Sequence, residues 1–103
     1  MGGMSCGEVS LVPWEILKNS INHCVSVSDE FVSKTIQLLA KSKFSEEKII
    51  GGECSTPGII SLIGLNNNAK TRSKINLNEN SNVLLFGCEG DADEELYQKL
   101  LNK

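Results

Sequence analysis

Val83-Leu84-Leu85-Phe86 is an unbroken apolar run that stops at Gly87-Cys88-Glu89-Gly90, and the polar Asp91-Ala92-Asp93 follows at once. Buried strands of parallel sheets have this pattern, and ligands of such sheets lie just beyond the carboxyl ends of their strands. Asp91 with Glu94 three residues on fits a capping arrangement, after which Leu96, Tyr97, Leu100 and Leu101 share one helical face. The Gly87–Gly90 turn is therefore the first place to expect chemistry. Cys88 and Glu89 within it have two readings: ligand contacts at a strand end, or a small core residue beside an exposed acid.

A chain of 103 residues, 40% of them apolar, suffices for one domain with one core, so residues 1–103 are expected to form a single α/β segment. The net charge of -3 and the lack of any Lys/Arg cluster beyond Lys70, Arg72 and Lys74 argue against nucleic acid or an anionic membrane as partners. Cys6, Cys24, Cys54 and Cys88 lie far apart, with neither the paired spacing of a zinc site nor the density of a disulfide scaffold. Reduced thiols in a cytoplasm are the expectation, with no metal. Ile59–Leu65, the longest mostly apolar run, is too short to span a bilayer, and no secretory signal is visible. His23, the single histidine, has no neighbouring carboxylate or nucleophile pattern and reads as structural.

Along the chain, Pro13 suits a first helical turn and Trp14, Leu17 and Ile21 recur at helical spacing. His23–Ser28 reads as a short strand, with Val25 and Val27 alternating against Cys24 and Ser26. Ser28 or Asp29 can cap the next helix, whose Phe31, Val32, Thr35, Ile36 and Leu39 share a face. Gly51-Gly52-Glu53-Cys54-Ser55 leads into a helix that Ser55 or Thr56 can cap and Pro57 can begin. Apolar residues surround that helix through Leu65, which predicts deep burial, whereas Asn66–Lys74 reads as an exposed connection. Free N–H groups before Pro57 make a phosphate cradle one reading of Gly51–Ser55, but neither the Walker pattern nor G-x-G-x-x-G is present, and a plain tight turn is the other.

Taken together, Ser5–Ser10 with Val12–Lys18, then Gly51–Ser55, then Leu84–Asp93 resemble the carboxyl-terminal portion of the diaminopropionate ammonia-lyase family. That family sits in the tryptophan-synthase-beta-like (fold type II) group of pyridoxal phosphate enzymes. The resemblance runs over essentially the whole chain in the right order. It implies an α/β fold, a short parallel sheet with packed helices, cut from the large domain of such an enzyme. It also implies a β-elimination that converts diaminopropionate to pyruvate and ammonia, with a small amino acid as substrate and a homo-oligomer as the assembly. Within the group, a Ser- or Thr-containing turn at the end of the last strand approaches the cofactor's pyridine nitrogen; the corresponding positions here resemble Gly87 and Cys88, a departure that substitutes a thiol for the usual hydroxyl. Glu53 resembles a Glu beside the cofactor ring, and Cys6, Gly7 and Glu8 resemble a loop bordering the substrate entrance. The group's Schiff-base lysine and Gly-rich phosphate loop belong to the earlier part of the enzyme, so no catalytic residue is expected in this chain and the segment alone should be inactive. Two other readings remain open at this point: another enzyme of the group, such as a threonine or serine dehydratase, and a non-catalytic α/β regulatory or binding module.

Overall fold

The computed structural model describes residues 1–103. It contains five α-helices: α1 (Leu11–Leu17), α2 (Val32–Ala40), α3 (Pro57–Asn66), α4 (Ala69–Lys74) and α5 (Glu94–Leu101), with short 3-10 turns at Gly2–Met4, Asp29–Phe31 and Glu53–Ser55. There is no strand, which corrects the expectation of an α/β fold with a short parallel sheet. The physical reason lies in the pairing. A strand exists only where a neighbour completes its ladder of N–H and C=O groups. Neither His23–Val27 nor Val83–Cys88 makes a single backbone–backbone hydrogen bond. Both apolar segments also lie largely on the surface, with Leu84 77% and Phe86 79% exposed.

The core forms around α2. Val32, Thr35, Ile36 and Leu39 are buried along one face, as their spacing predicts, while Phe31, expected on the same face, is exposed. Ser28 does cap this region, its hydroxyl accepting from the Glu30 N–H at 3.3 Å. Ile60 from α3 and Tyr97 from α5 complete the cluster, and Leu100 and Leu101 pack at its margin. The Ser33 hydroxyl and Gln37 amide both donate to the Leu100 carbonyl, closing the end of α5 against α2.

Four helical expectations need correction. α1 starts at Leu11, before Pro13, and ends at Leu17, short of Ile21; all its residues are exposed because no other element covers it. α3 begins at Pro57 as expected, yet only Ile60 is fully buried, since α2 and α4 cover one side and the rest stays half-buried or exposed. Residues 69–74, read as a connection, form α4, because the Asn68 side chain accepts from the N–H groups of Lys70 and Thr71. α5 starts at Glu94, and its cap is Asp93, accepting from Leu96 N–H at 2.9 Å, rather than Asp91.

Accessible area summarises the outcome: 7959 Å², against roughly 5,700 Å² for a self-contained monomer of this mass. The radius of gyration is 15.0 Å, where about 13 Å is usual for a domain of this length.

Candidate functional site

The two glycine-containing turns singled out from the sequence meet in space. Glu89 accepts the Gly52 N–H on its carbonyl at 2.9 Å. Its carboxylate Oε2 accepts the Cys54 N–H at 2.7 Å. The Ser55 hydroxyl donates to the Glu89 carbonyl at 2.6 Å and accepts the Glu89 N–H at 2.9 Å. The Cys88 thiol donates to the Cys54 carbonyl at 3.3 Å. Gly51, Gly52, Cys54, Ser55 and Thr56 are buried, whereas Gly87–Gly90 stay exposed. One turn therefore forms a fixed floor on which the other is held by its polar groups.

Gly52 makes this approach possible. A Cβ there would lie 2.6 Å from the Glu89 carboxylate and 2.7 Å from its Cγ. Its φ of -75° suits any residue, so the requirement for glycine is one of space alone. The same packing overturns the phosphate-cradle reading of Gly51–Ser55. The N–H groups of Gly52 and Cys54 are taken by Glu89, and those of Ser55 and Thr56 by the carbonyls of Gly52 and Glu53. The Glu89 carboxylate thus already stands where an external anion would bind.

Burial pushes the Cys54 thiol above its ordinary range, and the neighbouring Glu89 carboxylate pushes it further the same way. Cys54 is thus held as a neutral thiol and is a poor nucleophile. Glu53 accompanies Cys54 in the 3-10 turn, but its carboxylate lies 3.6 Å from the Met1 amino group and makes no hydrogen bond to Gly87 or Cys88. Cys6, Gly7 and Glu8 are exposed and hydrogen-bond to neither turn; they follow Gly2–Met4, which packs against Glu53–Ser55. The structure thus joins Gly87 and Cys88 to the floor beside Glu53 and leaves the Cys6–Glu8 loop outside.

An open apolar groove of about 620 Å³ runs from Gly87 past Phe86, Leu85, Ile59 and Ile63 to Leu39, with Ser55 on its wall. Leu85 is seated against α3 at Gly58, where a Cβ would come 3.3 Å from its side chain. At Gly87 no side chain fills the space beside Ser55, while the Cys88 thiol turns to the Cys54 carbonyl and does not line the groove. The groove suits the apolar faces of an aromatic ring. No lysine lines the groove. Ser55 reads in the sequence as a helix cap and Glu89 as either a ligand contact or an exposed acid; their mutual hydrogen bonds across 34 residues show that Ser55 instead holds Glu89, which stays exposed.

Comparison with known proteins points first to a class, the ammonia-lyases. More particularly, the chain is similar to diaminopropionate ammonia-lyases. It is 29% identical over 104 residues to that of Escherichia coli (strain K12), covering 98% of this chain and 26% of the relative. It is 26% identical over 105 residues to that of Salmonella typhimurium, with the same coverage. The resemblance carried by the three sequence motifs is thereby borne out. The chain spans about a quarter of the length of the curated relatives it matches. No family model and no solved structure matches it.

Proposed function

We propose that this chain is the carboxyl-terminal segment of a pyridoxal phosphate-dependent diaminopropionate ammonia-lyase, in which it supplies the wall of the cofactor site at the pyridine nitrogen. The observation that carries the proposal is the joining of Gly51–Ser55 to Gly87–Glu89, the motifs by which the sequence resembles that family, into one hydrogen-bonded cluster at the end of an apolar groove. Bound there, pyridoxal phosphate supplies the electron sink for β-elimination from diaminopropionate. Gly87 would leave room for the ring, and Cys88 would face its nitrogen on turning its thiol from the Cys54 carbonyl. Glu53 would stand beside the ring without bonding to it, and Cys6–Glu8 would border the entrance for the amino acid substrate. With no lysine at the groove, the 103 residues alone are expected to turn over nothing.

The reading extends to a cytoplasmic homo-oligomer. Four free thiols suit a reducing compartment. Large apolar residues such as Leu11, Leu84 and Phe86 are left exposed, and in the longer protein other segments and subunits cover them. No helix is long and apolar enough to cross a membrane.

The test is a chimaera in which these residues replace the matching segment of the Escherichia coli enzyme. It should bind pyridoxal phosphate and release pyruvate from 2,3-diaminopropionate, with serine and threonine much poorer substrates. A chimaera that folds and holds the cofactor but prefers threonine or serine would move the assignment to a dehydratase. One that binds the cofactor and processes none of the three would favour a non-catalytic role for the segment.

A further inference from the structure

The meeting of the two turns brings together two thiols that lie 34 residues apart in the chain. Glu89 is held at three points: its carbonyl by the Gly52 N–H, its carboxylate by the Cys54 N–H, and its own N–H by the Ser55 hydroxyl. Cys88 is the residue before it, and the Cys88 Sγ lies 3.3 Å from the Cys54 carbonyl oxygen. The Cys54 sulfur sits beside the Glu89 carboxylate and against Gly3, where a Cβ would lie 3.2 Å from it. A charge on the Cys88 sulfur is close enough to push the Cys54 thiol up further. Each thiol swings about a single side-chain torsion. The two differ in access, Cys88 being exposed and Cys54 buried.

We propose that Cys54 and Cys88 form an oxidative modification site, at which a peroxide oxidises the exposed Cys88 and Cys54 then closes a reversible disulfide that locks the two turns together. The inference is independent of the function proposed above. In the first step the Cys88 sulfur attacks one peroxide oxygen, the O–O bond breaks, and the thiol proton leaves with the other oxygen as water. Cys88 is then a sulfenic acid. In the second step the Cys54 sulfur attacks the Cys88 sulfur, the S–O bond breaks, and the departing hydroxide takes the Cys54 proton as a second water. Two electrons pass from the pair of thiols to the peroxide. A buried neutral thiol is a poor nucleophile, which leaves the first step to Cys88; the second step is intramolecular, and proximity raises its rate. Disulfides of a reducing compartment are usually transient and redox-sensing, the kind a thiol pair of this sort would form.

The test uses the full-length protein that carries these residues. It is treated with a modest excess of hydrogen peroxide, quenched with iodoacetamide, digested without reductant and mapped by peptide mass. The Cys54 and Cys88 peptides should appear joined, lighter by two hydrogens than their sum, and dithiothreitol should separate them. The same treatment in denaturing urea should lower the yield of this pair at least threefold, because the fold and not the sequence supplies the proximity. Ser55→Ala, which frees the Glu89 N–H and carbonyl, should lower it by a similar factor in buffer. Cys54→Ser should leave Cys88 at the sulfenic acid, read as at least threefold more dimedone adduct on Cys88 than in the parent. A Cys88 that stays fully alkylatable after peroxide overturns the proposal. So does a Cys88 that is oxidised without joining Cys54, or a bond from either thiol to Cys6, Cys24 or a second copy of the chain. A yield unchanged by urea overturns it as well, since the pairing then owes nothing to the meeting of the turns. The peptide map and the urea comparison need no variant, so they decide the matter even where Ser55→Ala or Cys54→Ser fails to fold.

Discussion

Gly52→Ala probes the meeting of the two turns most directly. The added methyl carbon would stand 2.7 Å from the Glu89 Cγ and 2.6 Å from its carboxylate oxygen, where comfortable carbon contacts need roughly 3.5 to 4.0 Å. Glu89 must therefore withdraw by about 1 Å, which carries the Gly52–Glu89 and Ser55–Glu89 bonds beyond hydrogen-bonding range. Losing the three neutral hydrogen bonds, one from Gly52 and two with Ser55, costs about 1 kcal/mol each, and loosening the carboxylate on the Cys54 N–H about 1.5 kcal/mol more. Two effects offset this. Alanine reduces the freedom of the unfolded chain, by about 0.4 to 1 kcal/mol, and water reaches part of the exposed Glu89. A net loss of about 3 kcal/mol remains, which lowers the thermal midpoint of a chain of this size by on the order of 10 °C. Thermal unfolding followed by circular dichroism measures it. Gly90→Ala is the control, since nothing lies within 4 Å of its would-be Cβ, and it should unfold close to the parent. If Gly52→Ala unfolds within about 2 °C of the parent, the close approach of Glu89 to Gly52 does not exist in solution and the site dissolves with it.

Asp93→Ala removes the cap of α5, whose carboxylate accepts from the Leu96 N–H at 2.9 Å, and should cost about 1 kcal/mol in chemical denaturation; Asp91→Ala, which caps nothing, should cost much less. Tyr97→Phe should be neutral or stabilising at pH 7, because the buried phenol oxygen has no partner. Burial, and secondarily Asp91, hold the Tyr97 proton above its ordinary value of 10.0. The stability this contributes is complete below that value and is lost as pH rises through the folded one, so thermal midpoints measured from pH 8 to 11 should fall less in Tyr97→Phe. Cys54, raised chiefly by burial from 9.0, adds a loss of the same sign that begins lower, and Cys54→Ala should remove that portion. In the complete enzyme, Cys88→Asp should disturb the cofactor's absorbance-versus-pH profile far more than Cys88→Ser, since a carboxylate near the ring nitrogen favours its protonation; equal profiles would make the turn purely structural.

Local signals in the sequence located several elements well. The α2 face of Val32, Thr35, Ile36 and Leu39, Pro57 at the start of α3, and the burial of Tyr97 on α5 all follow from helical spacing and backbone chemistry that act within a few residues. The cap of α4 was equally local, in the Asn68 side chain, but lay hidden in a run of three asparagines. The two motifs later joined at the candidate site were visible as well, because glycines beside an apolar run mark a turn wherever they occur.

The sheet and the site's wiring were of another kind. Val83–Phe86 has the apolar side chains of a buried strand, but side chains set only a preference, and a strand also needs a neighbour at hydrogen-bonding distance. Without one, the run stays unpaired and exposed. Likewise, the sequence by itself determined that Ser55 could accept and donate and that Glu89 carried a charge. Only the tertiary structure decided that Ser55 would grip Glu89 rather than cap α3, and that a carboxylate would occupy the N–H groups an anion might have used. Helices close their hydrogen bonds within four residues and can be read locally, whereas contacts across 34 residues depend on which surfaces the packed helices bring together.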